Sequence, residues 1–155
     1  MHPSSFSIMQ EMLARHPASG LVYDVGSFNI NGTYRSLIDC RYVGLDIRAG
    51  RNVDIVIPEN KDWNLPPGDM AISGQCLEHV KRPWQWIKQV AAILKPGAKF
   101  LVVVPWKWPK HGVVDCWRVF PDGLKSLLEL GNFAVLEVGR TENDTFGAAQ
   151  FRGNS

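Results

Sequence analysis

The sequence predicts an α/β fold in which a mainly parallel, doubly wound sheet is covered by helices on both faces. Short segments rich in valine and isoleucine alternate along the chain with segments whose apolar residues recur at helical spacing. The apolar runs in the short segments are nearly continuous, which is typical of strands buried on both faces. The chain has 155 residues, 45% hydrophobic and 21% charged, which is enough for one buried core. We therefore expect a single compact domain built as a three-layer α/β/α sandwich.

The elements follow one another without a linker or an internal repeat. The predicted strands cover residues 21–25, 42–47, 53–57, 70–73, 100–104, 133–138 and 145–151, and the predicted helices cover residues 5–15, 34–38, 83–94 and 121–130. The helix at residues 83–94 has the clearest pattern, because Pro83 suits a first helical turn and Lys95-Pro96-Gly97 ends the periodicity. One domain is expected over residues 1–155, with an N-terminal helix within residues 1–16 and an α/β core at residues 20–151.

Composition and charge exclude several classes of protein. Seventeen Lys and Arg against fifteen Asp and Glu give a formal net charge of +2, too small to favour a nucleic acid or an anionic membrane as partner. No apolar segment approaches the ~20 residues that span a bilayer, and the first residues lack the pattern of a signal peptide. Cys40, Cys76 and Cys116 lack the spacing of a disulfide framework or a structural zinc site. These features predict a cytoplasmic protein with reduced thiols.

The residues at the end of the first predicted strand include an acid and two glycines. In open α/β sheets, ligands bind at the carboxyl ends of the strands. Gly26 and Gly32 would let the backbone approach a ligand, and a following helix would offer unpaired N–H groups, although an ordinary turn explains two glycines equally well. Asp24 is unfavourable beside a pyrophosphate and suits a cationic ligand or one with an ammonium group. The alternative for Asp24 is capping or hydrogen bonding within the loop.

Polar residues also follow the second and fourth predicted strands. Asp46 lies twenty residues after Gly26, a distance at which an acid can accept hydrogen bonds from both ribose hydroxyls of a nucleoside. Without the glycine loop, it would be interpreted as a turn residue. Ser73-Gly74-Gln75 would let a flat ligand lie across the edge of the sheet. Glu78-His79 could supply acid–base chemistry or hydrogen bonds at the start of a helix.

Taken together, these residues resemble the class I S-adenosylmethionine-dependent methyltransferases, in particular the small-molecule type in which a Leu-Glu-His-Val segment follows the fourth strand. The matching stretches occur in the family's order and span most of the chain: residues 22–32, 42–46, 72–80, 93–97 and 115–123. The resemblance implies a Rossmann-like fold, S-adenosylmethionine as cofactor, and methyl transfer to an oxygen or nitrogen of a small-molecule acceptor. No Asn-Pro-Pro-Tyr or Asp-Pro-Pro-Tyr tetrapeptide is present, which disfavours methylation of amino groups on DNA bases.

The resemblance also implies which residues bind the cofactor. The loop after the first strand would hold the methionine part, and the second, third and fourth strands would supply contacts to the ribose, the adenine and the sulfonium. The corresponding residues are Asp24, Gly26, Ser27, Phe28, Asn29 and Gly32, then Asp46 and Ile47, then Glu59, and finally Ser73, Gly74 and Gln75. The glycine loop is longer and bulkier than the family's, and Pro58 stands where Asp is common. Insertions that normally cap the acceptor pocket are missing, so we expect little or no lid.

An aromatic and basic segment after the fifth predicted strand is the candidate acceptor wall. Trp106, Trp117 and Arg118 could bound a small acceptor beside residues 75–79. Alternatively, such residues stack on bases, cover an open pocket, or pack against a second copy of the chain. The slight net charge argues against the nucleic-acid alternative.

His79, His111 and Asp115 are the candidates for a general base. Each has a plainer alternative, because methyl transfer is often limited by alignment, and Asp115 could simply form a local ion pair with Arg118. No clustered set of Asp and Asn residues predicts metal-dependent chemistry, so no metal site is expected.

Two functions other than methyl transfer are alternative interpretations of the sequence. A nicotinamide-dependent oxidoreductase would need a GxGxxG loop and a second substrate domain, and the sequence has neither. A non-catalytic module that binds S-adenosylmethionine or a partner is favoured by the short chain and the missing lid. Methyl transfer to any acceptor would distinguish the enzyme from the module.

Overall fold

The fold is built on one mixed sheet of seven strands, described here by a computed structural model that covers residues 3–154. Three helices accompany the sheet in these residues: α1 (Pro3–Arg15), α2 (Pro83–Ala92) and α3 (Pro121–Leu130). The strands are β1 (Leu21–Val25), β2 (Arg41–Asp46), β3 (Ile55–Val56), β4 (Gly68–Gly74), β5 (Leu94–Pro105), β6 (Phe133–Arg140) and β7 (Asp144–Phe151). Two single turns of 3-10 helix occur at Arg35–Leu37 and Leu77–His79.

The strand order is β3-β2-β1-β4-β5-β7-β6, which confirms the doubly wound, mainly parallel sheet. Only β7 runs against its neighbours, since it pairs antiparallel with both β5 and β6. The chain first builds outward from β1 to β3 and then returns to place β4 on the other side of β1. The strand order therefore reverses between β1 and β4, and this reversal leaves a crevice at their carboxyl ends.

Helices cover both faces of the sheet, so the predicted three-layer arrangement is correct. Along β5, Phe100, Val102 and Val104 contribute to one apolar cluster, whereas Leu101 and Val103 contribute to the other. Because successive side chains of a strand point to opposite faces, the two clusters lie on opposite sides of the sheet. The first cluster contains the buried residues of α2 and α3, and the second contains Met9 and Met12 of α1. Packing of these two clusters on both faces holds the strands in place, and with them the edge formed by their carboxyl ends.

Several predicted elements differ from the observed ones. The helix expected at residues 34–38 is a single 3-10 turn, so the loop after β1 does not lead into a long helix with a row of free N–H groups. Strand β3 has two residues instead of five, and residues 57–67 contain no helix. The Lys95-Pro96-Gly97 segment ends α2 as predicted but belongs to β5, because the pairing shifts between Gly68 and Met70 to accommodate it. Within residues 3–154, no helix is both long and apolar enough to cross a bilayer.

Candidate functional site

A cavity opens at the carboxyl ends of β1 and β4, where the strand order reverses. It occupies about 420 Å³, part of which is open to solvent. Its lining comes from the end of β1, the loop that follows it and the end of β4: Asp24, Gly26, Ser27, Phe28, Ile30, Gly32, Thr33, Tyr34, Gly74 and Gln75. The position agrees with the general location of ligand sites in open α/β sheets.

Local hydrogen bonds hold the loop after β1 in an open curve around the cavity. Gly26 has a φ of +81°, and Cys76 lies where a side chain at that position would project. The Ser27 hydroxyl donates to the Asn52 carbonyl at 2.7 Å, and the Asn52 amide donates back to the Ser27 carbonyl at 2.9 Å. The Asn29 side chain accepts from the Gly32 amide at 2.8 Å, which closes the turn. Asn29 therefore shapes the loop but does not line the cavity.

Asp24 places a buried carboxylate against the cavity. Its side chain accepts a short hydrogen bond from the Tyr42 hydroxyl on the neighbouring strand β2. Burial raises the pKa of Asp24 to about 7, and the hydrogen bond from Tyr42 opposes that rise only in part. No Lys or Arg in residues 3–154 forms an ion pair with it. The site therefore holds an acid whose ionised form would be stabilised by a cationic ligand.

Asp46 lies at the end of β2, beside the same loop. Its carboxylate accepts from the Phe28 amide at 3.1 Å and from the Arg48 amide at 3.3 Å. The Arg48 guanidinium lies 4.0 Å from the centre of the Phe28 ring. This cation–π contact joins the two residues whose backbone amides donate to Asp46. Asp46, the exposed Ile47 and the exposed Glu59 do not line the cavity itself.

Ser73, Gly74 and Gln75 at the end of β4 have three different structural roles. The Ser73 side chain is buried, and its hydroxyl donates to the Val25 carbonyl at 2.8 Å, so it ties β4 to β1 instead of facing the cavity. Gly74 leaves room for the Tyr34 hydroxyl, which a side chain at position 74 would displace. Gln75 has a φ of +54°, an unusual conformation for a residue with a side chain, and its amide donates to Asp144 at 2.8 Å.

Two cavity-forming contacts were not predicted from the sequence. Tyr34 lines the cavity and shares a short hydrogen bond with Ser5 of α1. Asp144, which accepts from Gln75, also accepts from the Ser4 hydroxyl of α1 at 3.1 Å. Asp144 reaches this edge because β7 is antiparallel and presents its first residue where the parallel strands end. The sequence indicates a last strand that begins near Asp144, but it does not show that this strand runs antiparallel to its neighbours. Ile30 and Thr33 also line the cavity and were not predicted.

A second polar cluster lies just beyond Gln75 and brings together the three predicted general-base candidates. Glu78, in the turn after β4, is fully buried, and burial raises the pKa of its carboxyl to about 8. His79 and His111 each place Nε2 at 3.9 Å from the Glu78 Oε2 atom. Asp115 accepts from the backbone amide of His111 at 2.7 Å, and hydrogen bonds from Arg118 hold the pKa of Asp115 well below its usual range.

The predicted acceptor wall has other partners. Trp117 donates through Nε1 to the Val80 carbonyl at 2.6 Å, and its ring lies in a separate apolar groove between the turn after β4 and α3. Arg118 forms two hydrogen bonds to Asp115, at 2.7 and 2.8 Å. Trp106 donates to the Thr141 carbonyl at 2.9 Å. Trp106, Trp117 and Arg118 do not line the cavity beside Asp24.

The segment after β5 also packs against the turn that follows β4. The backbone amides of Cys116 and Trp117 donate to the Glu78 carbonyl at 2.6 and 3.2 Å. These bonds join the two segments between which an acceptor was expected.

Comparisons with known proteins give matches in structure only. No protein-family model matches the chain, and no curated protein sequence matches it. The 1,6-didemethyltoxoflavin-N1-methyltransferase of Burkholderia thailandensis, solved with 1,6-didemethyltoxoflavin and S-adenosylhomocysteine, has a TM-score of 0.75 and 16% identity, over 97% of this chain and 79% of that one. A SAM-dependent methyltransferase from Aquifex aeolicus has a TM-score of 0.69 and 14% identity, over 97% of this chain and 99% of that one.

A SAM-dependent methyltransferase from Methanosarcina mazei is similar over almost its whole length. Its TM-score is 0.70 at 14% identity, and the match covers 99% of each chain. At such identities the likeness establishes the fold alone. The chain therefore has the Rossmann-like fold of the class I S-adenosylmethionine-dependent methyltransferases.

Proposed function

We propose that this protein binds S-adenosylmethionine in the cavity beside Asp24 and transfers its methyl group to an oxygen or nitrogen of a small-molecule acceptor. The observation that carries the proposal is the buried Asp24 carboxylate at the β1/β4 crevice, on the fold of known methyltransferases. S-adenosylmethionine combines an ammonium group, a sulfonium cation and a ribose in one molecule. The ammonium group and the ribose each have a chemically suitable partner among residues at this edge of the sheet.

The ammonium group is the natural partner of Asp24. A buried carboxylate without a cationic partner is costly, and an ammonium group would restore the electrostatic stabilisation that burial removes. The same carboxylate would repel a pyrophosphate, which argues against a nicotinamide dinucleotide in this position. Asp46, whose oxygens each accept one backbone hydrogen bond, retains lone pairs that could accept from ribose hydroxyls.

The reaction demands alignment more than acid–base chemistry from the protein. The bound cofactor supplies an electrophilic methyl group on a sulfonium sulfur. Gln75, fixed by its bond to Asp144, borders the cavity and could orient an acceptor with its remaining polar atoms. Proximity and orientation of this kind can supply several kcal/mol of barrier reduction. A general base is then needed only where the acceptor must lose a proton of high pKa.

A non-catalytic module is the second candidate, and one observation favours it. The side chains expected to wall the acceptor are engaged in other contacts, and residues 111–117 contact the turn after β4. A protein of this kind would bind the cofactor without turning it over.

Isothermal titration calorimetry with S-adenosylmethionine, S-adenosylhomocysteine and NAD tests the proposal. Both adenosyl ligands should bind one per chain and NAD should not bind. Asp24→Asn should weaken binding by about ten-fold or more, since a charge-assisted hydrogen bond contributes roughly 1.5–3 kcal/mol. Asp39→Asn is the matched control, because Asp39 is exposed and precedes β2 at the opposite edge of the sheet.

The outcomes separate the alternatives. NAD binding without affinity for either adenosyl ligand would contradict the proposal. If the adenosyl ligands bind, production of S-adenosylhomocysteine with a panel of small hydroxyl and amine acceptors identifies an enzyme. Tight binding with no turnover across the panel would favour the non-catalytic module.

A further inference from the structure

Two imidazoles and one carboxylate converge on a small space outside the cavity lined by Asp24. Glu78 and His79 belong to the 3-10 turn Leu77–His79, and His111 comes from the irregular segment between β5 and α3. One nitrogen of each imidazole and one oxygen of Glu78 all lie within 4.8 Å of one another. The two imidazole rings meet edge to face, with centroids 5.2 Å apart. Side chains of types that commonly bind metals thus come together from two separate segments of the chain.

The outer nitrogen of each imidazole has an oxygen acceptor. His79 Nδ1 forms a short contact with the Val114 carbonyl, and His111 Nδ1 lies 3.5 Å from an Asp115 oxygen. This pattern favours a proton on each Nδ1, which leaves each Nε2, 3.9 Å from a Glu78 oxygen, unprotonated and able to bind a cation. Metal-bound histidines are held by just such oxygen partners, which fix the tautomer and the ring orientation.

Glu78 supplies a second, independent indication of a ligand. Its side chain is fully buried, and neither carboxylate oxygen accepts a hydrogen bond from another residue in the described range 3–154. Such a group is costly to bury in its ionised form, and either protonation or a bound cation removes that cost. The histidines lie near enough to share a cation with Glu78, yet at 3.9 Å they are too far for hydrogen bonds.

The spacing of these atoms suits a small divalent ion. Two ligand atoms at about 2.1 Å from a tetrahedral ion are about 3.4 Å apart. Each histidine Nε2 lies 3.9 Å from the Glu78 oxygen and all three atoms lie within 4.8 Å of one another, so a side-chain adjustment must bring them closer. His111 is half exposed, so its side chain can make that adjustment. Two imidazoles with one carboxylate suit Zn²⁺ and neighbouring transition metals, whereas Mg²⁺ and Ca²⁺ favour sites made of oxygen alone.

We propose that Glu78, His79 and His111 form a binding site for a divalent transition-metal ion, with Asp115 as the positioning residue behind His111. Three protein ligands would leave at least one coordination position for water or another small ligand. Such an ion would also tie the segment after β5 to the turn after β4. No metal site was expected from the sequence, which has neither a zinc-type cysteine pattern nor clustered Asp and Asn residues. Metal binding here does not depend on methyl transfer or on the cofactor site.

Titration of the chelator-treated protein with Zn²⁺ tests this site without any methyl acceptor. A Cys116→Ser background removes the one exposed thiol in residues 3–154, which could bind Zn²⁺ independently. Calorimetry should give one Zn²⁺ per chain, and Zn²⁺ should raise the thermal unfolding midpoint. Co²⁺ should give the visible absorption of a four- or five-coordinate site with nitrogen and oxygen ligands.

Variants identify the ligands. His111→Ala and Glu78→Gln should each weaken Zn²⁺ binding at least ten-fold, and Asp115→Asn should weaken it by about 10–100-fold. His16→Gln is the matched control, because His16 contacts Glu137 well away from this cluster, and its affinity should equal that of the background protein. His111 is exposed, so its replacement should not disturb folding.

Three results would overturn the assignment. The first is no binding of Zn²⁺ at all, and the second is an affinity for Zn²⁺ that His111→Ala and Glu78→Gln leave unchanged. The third is binding of Mg²⁺ as tight as that of Zn²⁺, which would exclude a site selective for transition metals.

Discussion

Asp24 and Asp46 were recognised from the sequence because each is an acid at the carboxyl end of a strand. The structure adds what the sequence could not show, namely the partners of each carboxylate. Asp24 is buried beneath Tyr42, whereas Asp46 is half-buried and accepts from backbone amides. Their different surroundings give the two acids different chemistry, although their sequence positions are analogous.

The raised pKa of Asp24 predicts a pH-dependent affinity for ligands that carry an ammonium group. With a pKa of about 7, the carboxyl is mostly neutral at pH 6 and mostly ionised at pH 8. The ionised fraction rises about ten-fold over this interval, so the association constant for S-adenosylhomocysteine should rise by up to about ten-fold. Calorimetry at pH 6, 7 and 8 measures the change.

The control for this prediction is Asp24→Asn. It should bind S-adenosylhomocysteine weakly and with a nearly flat pH profile, which separates Asp24 from Glu78, the other nearby acid that titrates in this range. A wild-type affinity that is constant or falls between pH 6 and 8 would contradict the assignment of the ammonium group to Asp24.

At the scale of elements, the cavity depends on the contact between β4, Tyr34 and helix α1. The Tyr34 hydroxyl is buried, shares a hydrogen bond with Ser5, and occupies the space that Gly74 leaves free. Gly74 was predicted to be a site residue because small residues there would let a flat ligand lie across the edge of the sheet. Tyr34 and Ser5 could not be predicted, because their contact joins segments far apart in the sequence and on different elements.

Replacement of Gly74 tests this contact. Gly74→Ala would force the Tyr34 ring to move against its buried neighbours, so the free energy of unfolding should fall by about 1–3 kcal/mol. The affinity for S-adenosylhomocysteine should fall as well, since both residues line the cavity. Urea unfolding and calorimetry measure the two effects.

Gly123→Ala provides the control for the same chemical change. Gly123 is exposed within α3, and the nearest atom to an added methyl group is a Val119 carbon at 3.5 Å. This variant should be unchanged or more stable by up to about 1 kcal/mol, because alanine favours a helix. Equal urea midpoints for Gly74→Ala and the wild type would show that the cavity tolerates movement of Tyr34.

Contacts between elements explain which helices and strands were predicted poorly from the sequence. The periodicity of α2 and α3 depends on apolar residues that are buried against the sheet, so both helices were predicted close to their observed bounds. Residues 34–38 have little such periodicity, and tertiary contacts decide that they form one 3-10 turn. Strand β5 begins earlier than predicted because partners on β4 extend its pairing through a proline and a glycine.

At the scale of the whole molecule, alternation of strands and helices was enough to predict a doubly wound sheet. The order of the strands and the reversed direction of β7 were not predictable, since both depend on contacts between distant segments. That reversal brings Asp144 to the carboxyl-terminal edge of the parallel strands, and the packing of residues 111–117 brings His111 to Glu78. The parts of the site that the sequence missed are therefore those that long-range topology assembles.

We propose that the β1/β4 crevice is a site for an adenosyl ligand with a charged amino-acid end. A crystal structure of the protein with S-adenosylhomocysteine would show directly whether it is. We expect the ammonium group to be hydrogen-bonded to Asp24, the ribose hydroxyls to face Asp46, and the sulfur to lie beside Gly74 and Gln75. An adenosyl ligand bound elsewhere, or one with its amino-acid end directed away from Asp24, would contradict the claim.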